Sequence, residues 1–275
     1  PEWEMDWCSV YSARTLTLAD YVHGNVIFTG DAAHLLPIFG VRGANTGFQD
    51  AQSLGWHLAH VVKGLSSQQL LANYSAERVG AAREIIDEAG KSTRFMTPPS
   101  RVFRLLRDAV LSMSLTVDFV RPLYHWRTSR PHEYTHSMLN SVGDDNALFK
   151  AGPAHGAPPT NIRLAPNDFL LDHLGGGFDL IYFTTASAIP ESLQQVVAAF
   201  RARGAQLRVI AVGAAEPVAG ADLTLADADG HFRQRYGVRA DGGAYLLRPD
   251  QHVCARWVTL DAVRLQAALD TALPQ

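Results

Sequence analysis

Gly30-Asp31-Ala32-Ala33-His34, followed by Arg42-Gly43-Ala44-Asn45-Thr46-Gly47 leading into Asp50, is the stretch on which the reading of this chain turns. Val26-Ile27-Phe28-Thr29 enters it as a short buried strand. A helix is expected from Thr46, because Thr46 and Gln49 have the spacing of a capping box. Asp31 then falls just past a strand end, where ligands of α/β folds collect. Gly40, Gly43 and Gly47 allow close approach of backbone to a ligand. The amides of Thr46, Gly47 and Phe48 would lie at a helix start, which favours negative charge. A carboxylate beside such amides suits a partner that is flat, rich in hydroxyls and partly anionic. An ordinary strand-turn-helix with a capping aspartate has the same local pattern.

Outward from that stretch, Phe48, Ala51, Leu54, Leu58 and Val61 recur at helical spacing, and Gly64 is a stop. Helices are expected over 68–89 and 101–119, the second ending before Pro122. Upstream, Trp3, Met5, Trp7, Ser9 and Tyr11 alternate as in a strand over 2–18. Arg94, Arg101, Arg104 and Arg107 make a basic stretch that reads as a solvated helix face, with an interface or anion contact as the alternative. The Gly-, Pro- and Ala-rich stretch 151–160 reads as a linker, dividing the chain into 1–150 and 151–275. Beyond it come a strand over 179–183, a helix over 191–203 and a strand over 207–212. A hairpin over 244–248 and 253–259, turning at Pro249-Asp250, and a helix over 261–269 follow. The order β-α-β, then β-β-α, is that of a small thioredoxin-like domain. The fold class expected is α/β (α+β).

A chain of 275 residues suggests two domains. With 47% hydrophobic and 19% charged residues it has ample material for a core. A formal net charge of -3 and no charged tail give no reason to expect nucleic acid or a membrane surface as partner. The apolar runs fall short of the ~18–20 residues that cross a bilayer. Two cysteines far apart, Cys8 and Cys254, suit a reducing compartment, and the cytoplasm is expected. The chain opens Pro1-Glu2-Trp3 without a methionine and is expected to be a piece of a longer protein.

Several of these motifs carry a resemblance. Gly30-Asp31-Ala32-Ala33-His34, Pro37, Gly40-x-x-Gly43-x-Asn45-Thr46-Gly47-x-x-Asp50-Ala51 and Leu54-Gly55-Trp56-His57-Leu58 together resemble the second flavin motif of the class A FAD-dependent monooxygenases. Tyr74-x-x-Glu77-Arg78 resembles the segment that follows in that family, with Val79-Gly80 where proline is usual. Leu247-Arg248-Pro249-Asp250-x-x-Val253-x-Ala255-Arg256-Trp257 is similar to a segment near the end of the thioredoxin-like tail of its phenol, hydroxyphenylpropionate and polyketide hydroxylases. The resemblance implies that 1–150 is the C-terminal part of an FAD-binding hydroxylase domain with long helices. It implies FAD as cofactor, NAD(P)H as reductant, an aromatic phenolic or polyketide-like substrate, O₂, and a homodimer as candidate assembly. Carried over, Asp31 would meet the ribityl–phosphate region, with Gly30 beside it as a further cofactor-binding residue, and Pro37 would pack near the reactive face of the isoalloxazine. The backbone of Gly43, Ala44, Asn45 and Thr46 would reach its pyrimidine edge, where the reduced ring is anionic. The G-x-G-x-x-G turn that opens such hydroxylases is not found. The chain alone is therefore expected to bind flavin weakly or not at all and to be inactive.

No side chain stands out as a catalytic acid or base, and His34 reads as structural. His132-Glu133-Tyr134-Thr135-His136 matches the H-E-x-x-H zinc signature, but Leu139 and Val142 stand where its extended form needs Gly and His. A zinc hydrolase is kept as a minor alternative, and no metal site is expected. The tail has no C-x-x-C, since Thr184-Thr185-Ala186-Ser187 occupies that turn, so disulfide exchange is excluded and Cys254 reads as a buried thiol. The alternative from another class is a non-catalytic scaffold or oligomerisation module with a thioredoxin-like fold.

Overall fold

Two strands of the second half, Phe178–Phe183 and Leu207–Val212, are apolar almost throughout, and such runs need cover on both faces. A computed structural model shows that cover. It describes residues 3–275 except 11, 13, 39–41, 125–130 and 241, and the Arg121 side chain. In chain order the strands are β1 (Leu16–Thr17), β2 (Val22–His23), β3 (Val26–Ile27), β4 (His34–Leu35), β5 (Arg163–Ala165), β6 (Asp168–Phe169), β7 (Phe178–Phe183), β8 (Leu207–Val212), β9 (Leu223–Leu225), β10 (Gly243–Leu247) and β11 (Val253–Trp257). The helices are α1 (Gly43–Val62), α2 (Gln69–Met96), α3 (Arg101–Met113), α4 (Arg121–Tyr124), α5 (Glu191–Ala202), α6 (His231–Arg235) and α7 (Ala262–Ala272). The chain divides into two compact units, Pro1–Ala51 with Arg78–Arg130, and Gln52–Glu77 with Pro131–Gln275.

The second unit is built on a five-stranded sheet of order β11-β10-β7-β8-β9. β7 and β8 are parallel, as are β8 and β9, while β10 is antiparallel to β7 and β11. Successive side chains point to opposite faces. Phe178 and Leu180 therefore join one core with Leu193, Val197 and Phe200 of α5 and Leu265 and Leu269 of α7. Ile181 and Phe183 join the other, with Ile162, Leu170, Phe232 and Tyr236. Each such side chain, fully buried, contributes about 1.5–3 kcal/mol. The Pro249-Asp250 hairpin closes as expected: the Gln251 amide donates to the Arg248 carbonyl at 2.8 Å across the turn.

The stretch 151–160 is not a free linker. It lies along the outer edge of β11, where the Gly156 amide donates to Val253 O at 2.6 Å and the Val253 amide to Ala157 O at 2.9 Å. Upstream, the Ser141 and Asp145 amides donate to Cys254 O and Arg256 O, both at 2.8 Å. This segment satisfies a sheet edge that would otherwise stay open. Composition hid it because the glycines serve close packing: Gly152 has φ +80°, and a Cβ there would lie 2.4 Å from Tyr236 O.

In the first unit the strands are short. β2 and β3 form a two-residue hairpin, and Val26 is 55% exposed, so the expected buried strand over 26–29 is an exposed ribbon. Of the expected strand over 2–18, only Leu16–Thr17 pairs among the described residues, with β4. Trp3 and Trp7 are about four-fifths exposed, at 79% and 82%, so the alternation there has no core beneath it. Tyr11 of that reading lies outside the described residues. α2 runs on to Met96, beyond the expected 89, and α3 stops at Met113, short of 119, where turns and a 3₁₀ stretch over Asp118–Val120 take over.

Candidate functional site

Gly30, Asp31 and Ala32 form one 3₁₀ turn directly after β3. Gly30 takes φ +58°, a conformation that glycine adopts without strain. The Ala33 amide closes the turn on Gly30 O at 2.8 Å, and Ala33 O accepts from the Leu18 amide at 2.9 Å. Asp31 is exposed, while Pro37, two residues beyond β4, is buried. Gly40 lies outside the described residues.

α1 begins at Gly43, three residues before the expected Thr46. The Thr46 amide already donates to Arg42 O at 2.8 Å, inside the helix. The amides at the head of α1 are therefore those of Gly43, Ala44 and Asn45, and the capping-box reading of Thr46 and Gln49 does not hold. Sequence placed the start late because Arg42-Gly43-Ala44 offers none of the usual side-chain caps. The turn sits against this helix: a Cβ added at Gly47 would lie 3.5 Å from the Gly30 Cα.

What joins turn and helix is Asp50, whose side chain is wholly buried. Its Oδ2 accepts from the Gly30 amide at 3.0 Å and from His34 Nε2 at 2.6 Å, and its Oδ1 accepts from Arg78 Nε at 2.6 Å. Arg78 also donates from Nη2 to Thr46 O at 3.3 Å. Burial alone would raise the Asp50 carboxyl, but the His34 hydrogen bond, the Arg78 charge and the Gly30 amide outweigh it. The group is held below the ordinary carboxylate value. Because an ionised carboxylate only accepts, His34 Nε2 carries a proton. The sequence motifs contain Asp50 and Arg78 but give no hint that they meet. The available signal is on α2, where the buried stripe Tyr74, Ala81, Ala82, Ile85 is interrupted by Glu77 and Arg78, two charges at core positions.

Within the second unit the other motifs gather in a separate buried network. Arg248 pairs with both oxygens of Glu77, at 2.6 and 3.0 Å, and with Asp250 at 2.7 and 3.1 Å. Trp56 Nε1 donates to Asp250 Oδ2 at 2.9 Å, and the guanidinium lies over the rings of Trp56 and Tyr134 at 5.5 and 5.3 Å. Burial would raise both carboxyls, but the Arg248 charge holds Glu77 below and Asp250 well below the usual range. Nothing in this network is open to a ligand, since Glu77, Arg248 and Asp250 are all buried.

The zinc alternative has no geometry behind it. Residues 132–136 are not helical, so the two histidines do not share a helix face, and among the described residues no cluster of metal-binding side chains occurs. Cys254 is buried, with its thiol pushed up to about 12 by burial. Among the described residues no helix is long and apolar enough to cross a membrane.

A planar, polyhydroxylated and partly anionic cofactor fits the first-unit arrangement. An exposed carboxylate without a protein partner among the described residues stands on a turn packed against the head of a 20-residue helix, whose N-terminus favours negative charge.

Comparison with known proteins agrees. Residues 1–89 match the model of the family described as FAD binding domain. The chain is 27% identical over 271 residues to a 3-(3-hydroxy-phenyl)propionate/3-hydroxycinnamic acid hydroxylase of Mycobacterium avium (strain 104), covering 96% of this chain and 46% of that protein. It is 31% identical over 275 residues to a 4-methyl-5-nitrocatechol 5-monooxygenase of a Burkholderia species, covering 94% and 45%. Among solved structures, the rebeccamycin biosynthetic enzyme RebC with reduced flavin superposes with a TM-score of 0.68 at 26% identity, covering 93% of this chain and 46% of that one. The flavin-dependent monooxygenase PieE, in complex with FAD and substrate, shares the fold at 21% identity and a TM-score of 0.70, over 95% and 49%. The chain thus spans about half the length of the curated relatives it matches. By sequence and by fold, the chain is similar to these flavin-dependent hydroxylases and monooxygenases.

Proposed function

We propose that the full-length polypeptide carrying this chain is an FAD-dependent, NAD(P)H-using monooxygenase that hydroxylates a phenolic or polyketide-like aromatic ring. One oxygen atom of O₂ enters the ring, the other leaves as water, and NAD(P)H supplies two electrons. FAD, when bound, supplies the oxygen and redox chemistry. The chain's own residues hold and orient it. Asp31 accepts hydrogen bonds from ribityl hydroxyls, with Gly30 bringing the backbone close, and Pro37 packs near the reactive face. The head of α1, Gly43 to Thr46, faces the pyrimidine edge, with Gly43, Ala44 and Asn45 giving amides and Thr46 anchoring the first turn through Arg42 and Arg78. The observation that carries this reading is the exposed Asp31 carboxylate on a turn fixed against the start of α1.

In this reading 1–150 belongs to the hydroxylase's FAD domain and 151–275 is a thioredoxin-like domain without C-x-x-C. The order β7-α5-β8, then β10-β11-α7, supports the latter. The tail is structural. Two free cysteines support a reducing, cytoplasmic location. The test is to purify the full-length polypeptide and measure bound FAD and NAD(P)H oxidation with phenolic substrates. The expected result is FAD absorbance and substrate-stimulated oxidation with a hydroxylated product. A protein that takes up no FAD overturns the proposal.

A further inference from the structure

Asp50 is placed where it governs the flavin-facing turn without reaching a ligand itself. Its side chain is wholly buried, and three donors from three parts of the first unit converge on it: the Gly30 amide, His34 Nε2 and Arg78 Nε, at 3.0, 2.6 and 2.6 Å. The Gly30 bond is the decisive one. Gly30 immediately precedes Asp31 and sets the direction of the 3₁₀ turn through its positive φ, and its amide is fixed by Asp50 rather than by a neighbouring strand. His34 is no rival for this role. Its other ring nitrogen, Nδ1, has no hydrogen-bond partner among the described residues, so the ring is oriented by Asp50. Arg78 extends the same hold to Thr46 O, in the first turn of α1.

We infer that Asp50 is a positioning residue for FAD: through the Gly30 amide it aims the Asp31 carboxylate, and through Arg78 it fixes the head of α1 beside it. The inference rests on the flavin reading above. An asparagine at 50 keeps the shape but not the function. One of its two positions is an NH₂, which meets N–H donors where an oxygen accepted them, so the Gly30 and Arg78 bonds cannot both survive. The alternative is that Asp50 only neutralises a buried arginine, in which case the aim of Asp31 does not depend on it.

The two are separated by a double-mutant cycle in the full-length polypeptide, read as FAD affinity by flavin fluorescence. Asp31→Ala and Asp50→Asn are each expected to weaken FAD at least tenfold. The double variant is expected to fall less far below Asp31→Ala than Asp50→Asn falls below wild type, because the part of the Asp50 effect that acts through the Asp31 carboxylate is already lost. Losses that multiply, or an Asp50→Asn variant with unchanged affinity, overturn the inference. If Asp50→Asn does not fold, Asp50→Asn with Arg78→Gln leaves no buried charge stranded and enters the same cycle. A second measurement needs no flavin. In the 275-residue chain, hydrogen exchange at the Gly30 amide should quicken at least tenfold in Asp50→Ala, which removes both acceptor oxygens, with Leu246 in the second unit unchanged. Unchanged exchange at Gly30 refutes the role of Asp50 whatever the flavin result, whereas wild-type protein that binds no FAD refutes the flavin reading instead.

Discussion

His57 provides a quantitative test of the second unit. Its ring is wholly buried on α1, tilted by 39° against Trp56 at 3.8 Å between centroids. Nδ1 lies 2.7 Å from Ser53 O, and since a carbonyl only accepts, Nδ1 carries the hydrogen. Nε2 is the remaining basic nitrogen, and it faces the Asn73 side-chain nitrogen at 3.4 Å. Burial, opposed by Glu77 and assisted by Arg248, lowers the pKa to about 4 from 6.5. The folded value is the depressed one, so the unfolded chain binds the extra proton. Stability is complete above pH ~6.5 and is lost as pH falls towards ~4. Between pH 7.5 and 5 this one group removes about 2 kcal/mol, or roughly 4–8 °C in Tm for a unit of 150–250 residues. Urea unfolding of the chain and of His57→Gln at the two pH values measures it. The variant is expected to be less stable at pH 7.5 through lost packing, yet its pH-dependent loss should be smaller than the parent's by about 2 kcal/mol. Parallel pH profiles for the two proteins would refute the buried, neutral imidazole.

Other outcomes follow from the same geometry. Arg248→Met strands Glu77 and Asp250 as buried anions and should destabilise the chain by about 3–5 kcal/mol in denaturant unfolding, because breaking a buried pair leaves charge uncompensated. Gly30→Ala puts a side chain at φ +58° with its nearest neighbour 4.0 Å away. The cost is therefore backbone strain rather than collision, about 1–2 kcal/mol by the same measurement. A thiol reagent at pH 8 should label one cysteine per native chain, the exposed Cys8, with Cys254 reacting only after unfolding. Two fast thiols in the native chain would contradict the burial of Cys254.

The tail was the most legible part of the fold. Its strands are apolar runs and its helices carry period-3.6 faces, so 179–183, 191–203 and 207–212 were placed to within a residue or so. The first unit was less legible. Trp3, Met5 and Trp7 alternate perfectly, but alternation reports a face that needs a partner, not the partner itself. Of the candidate site, the motif gave the residue types but not their contacts. Asp50 and Arg78 lie 28 residues apart and Glu77 and Arg248 lie 171 apart. No local pattern pairs charges at such separations. Local rules also misplaced the start of α1, because Arg42-Gly43-Ala44 shows no usual capping side chain in the sequence, while Asp50 and Arg78 reach the first turns of the helix from afar.

The central claim is that the Gly30–Asp31 turn and the head of α1 hold a flavin. The most direct measurement is FAD affinity of the full-length polypeptide, wild type against Asp31→Ala, with Asp6→Ala on the exposed N-terminal segment as a control. A hydrogen bond to a charged group is worth about 1.5–3 kcal/mol, so the account predicts a loss of roughly ten- to a hundred-fold for Asp31→Ala and none for the control. Equal FAD affinity in all three proteins would contradict it.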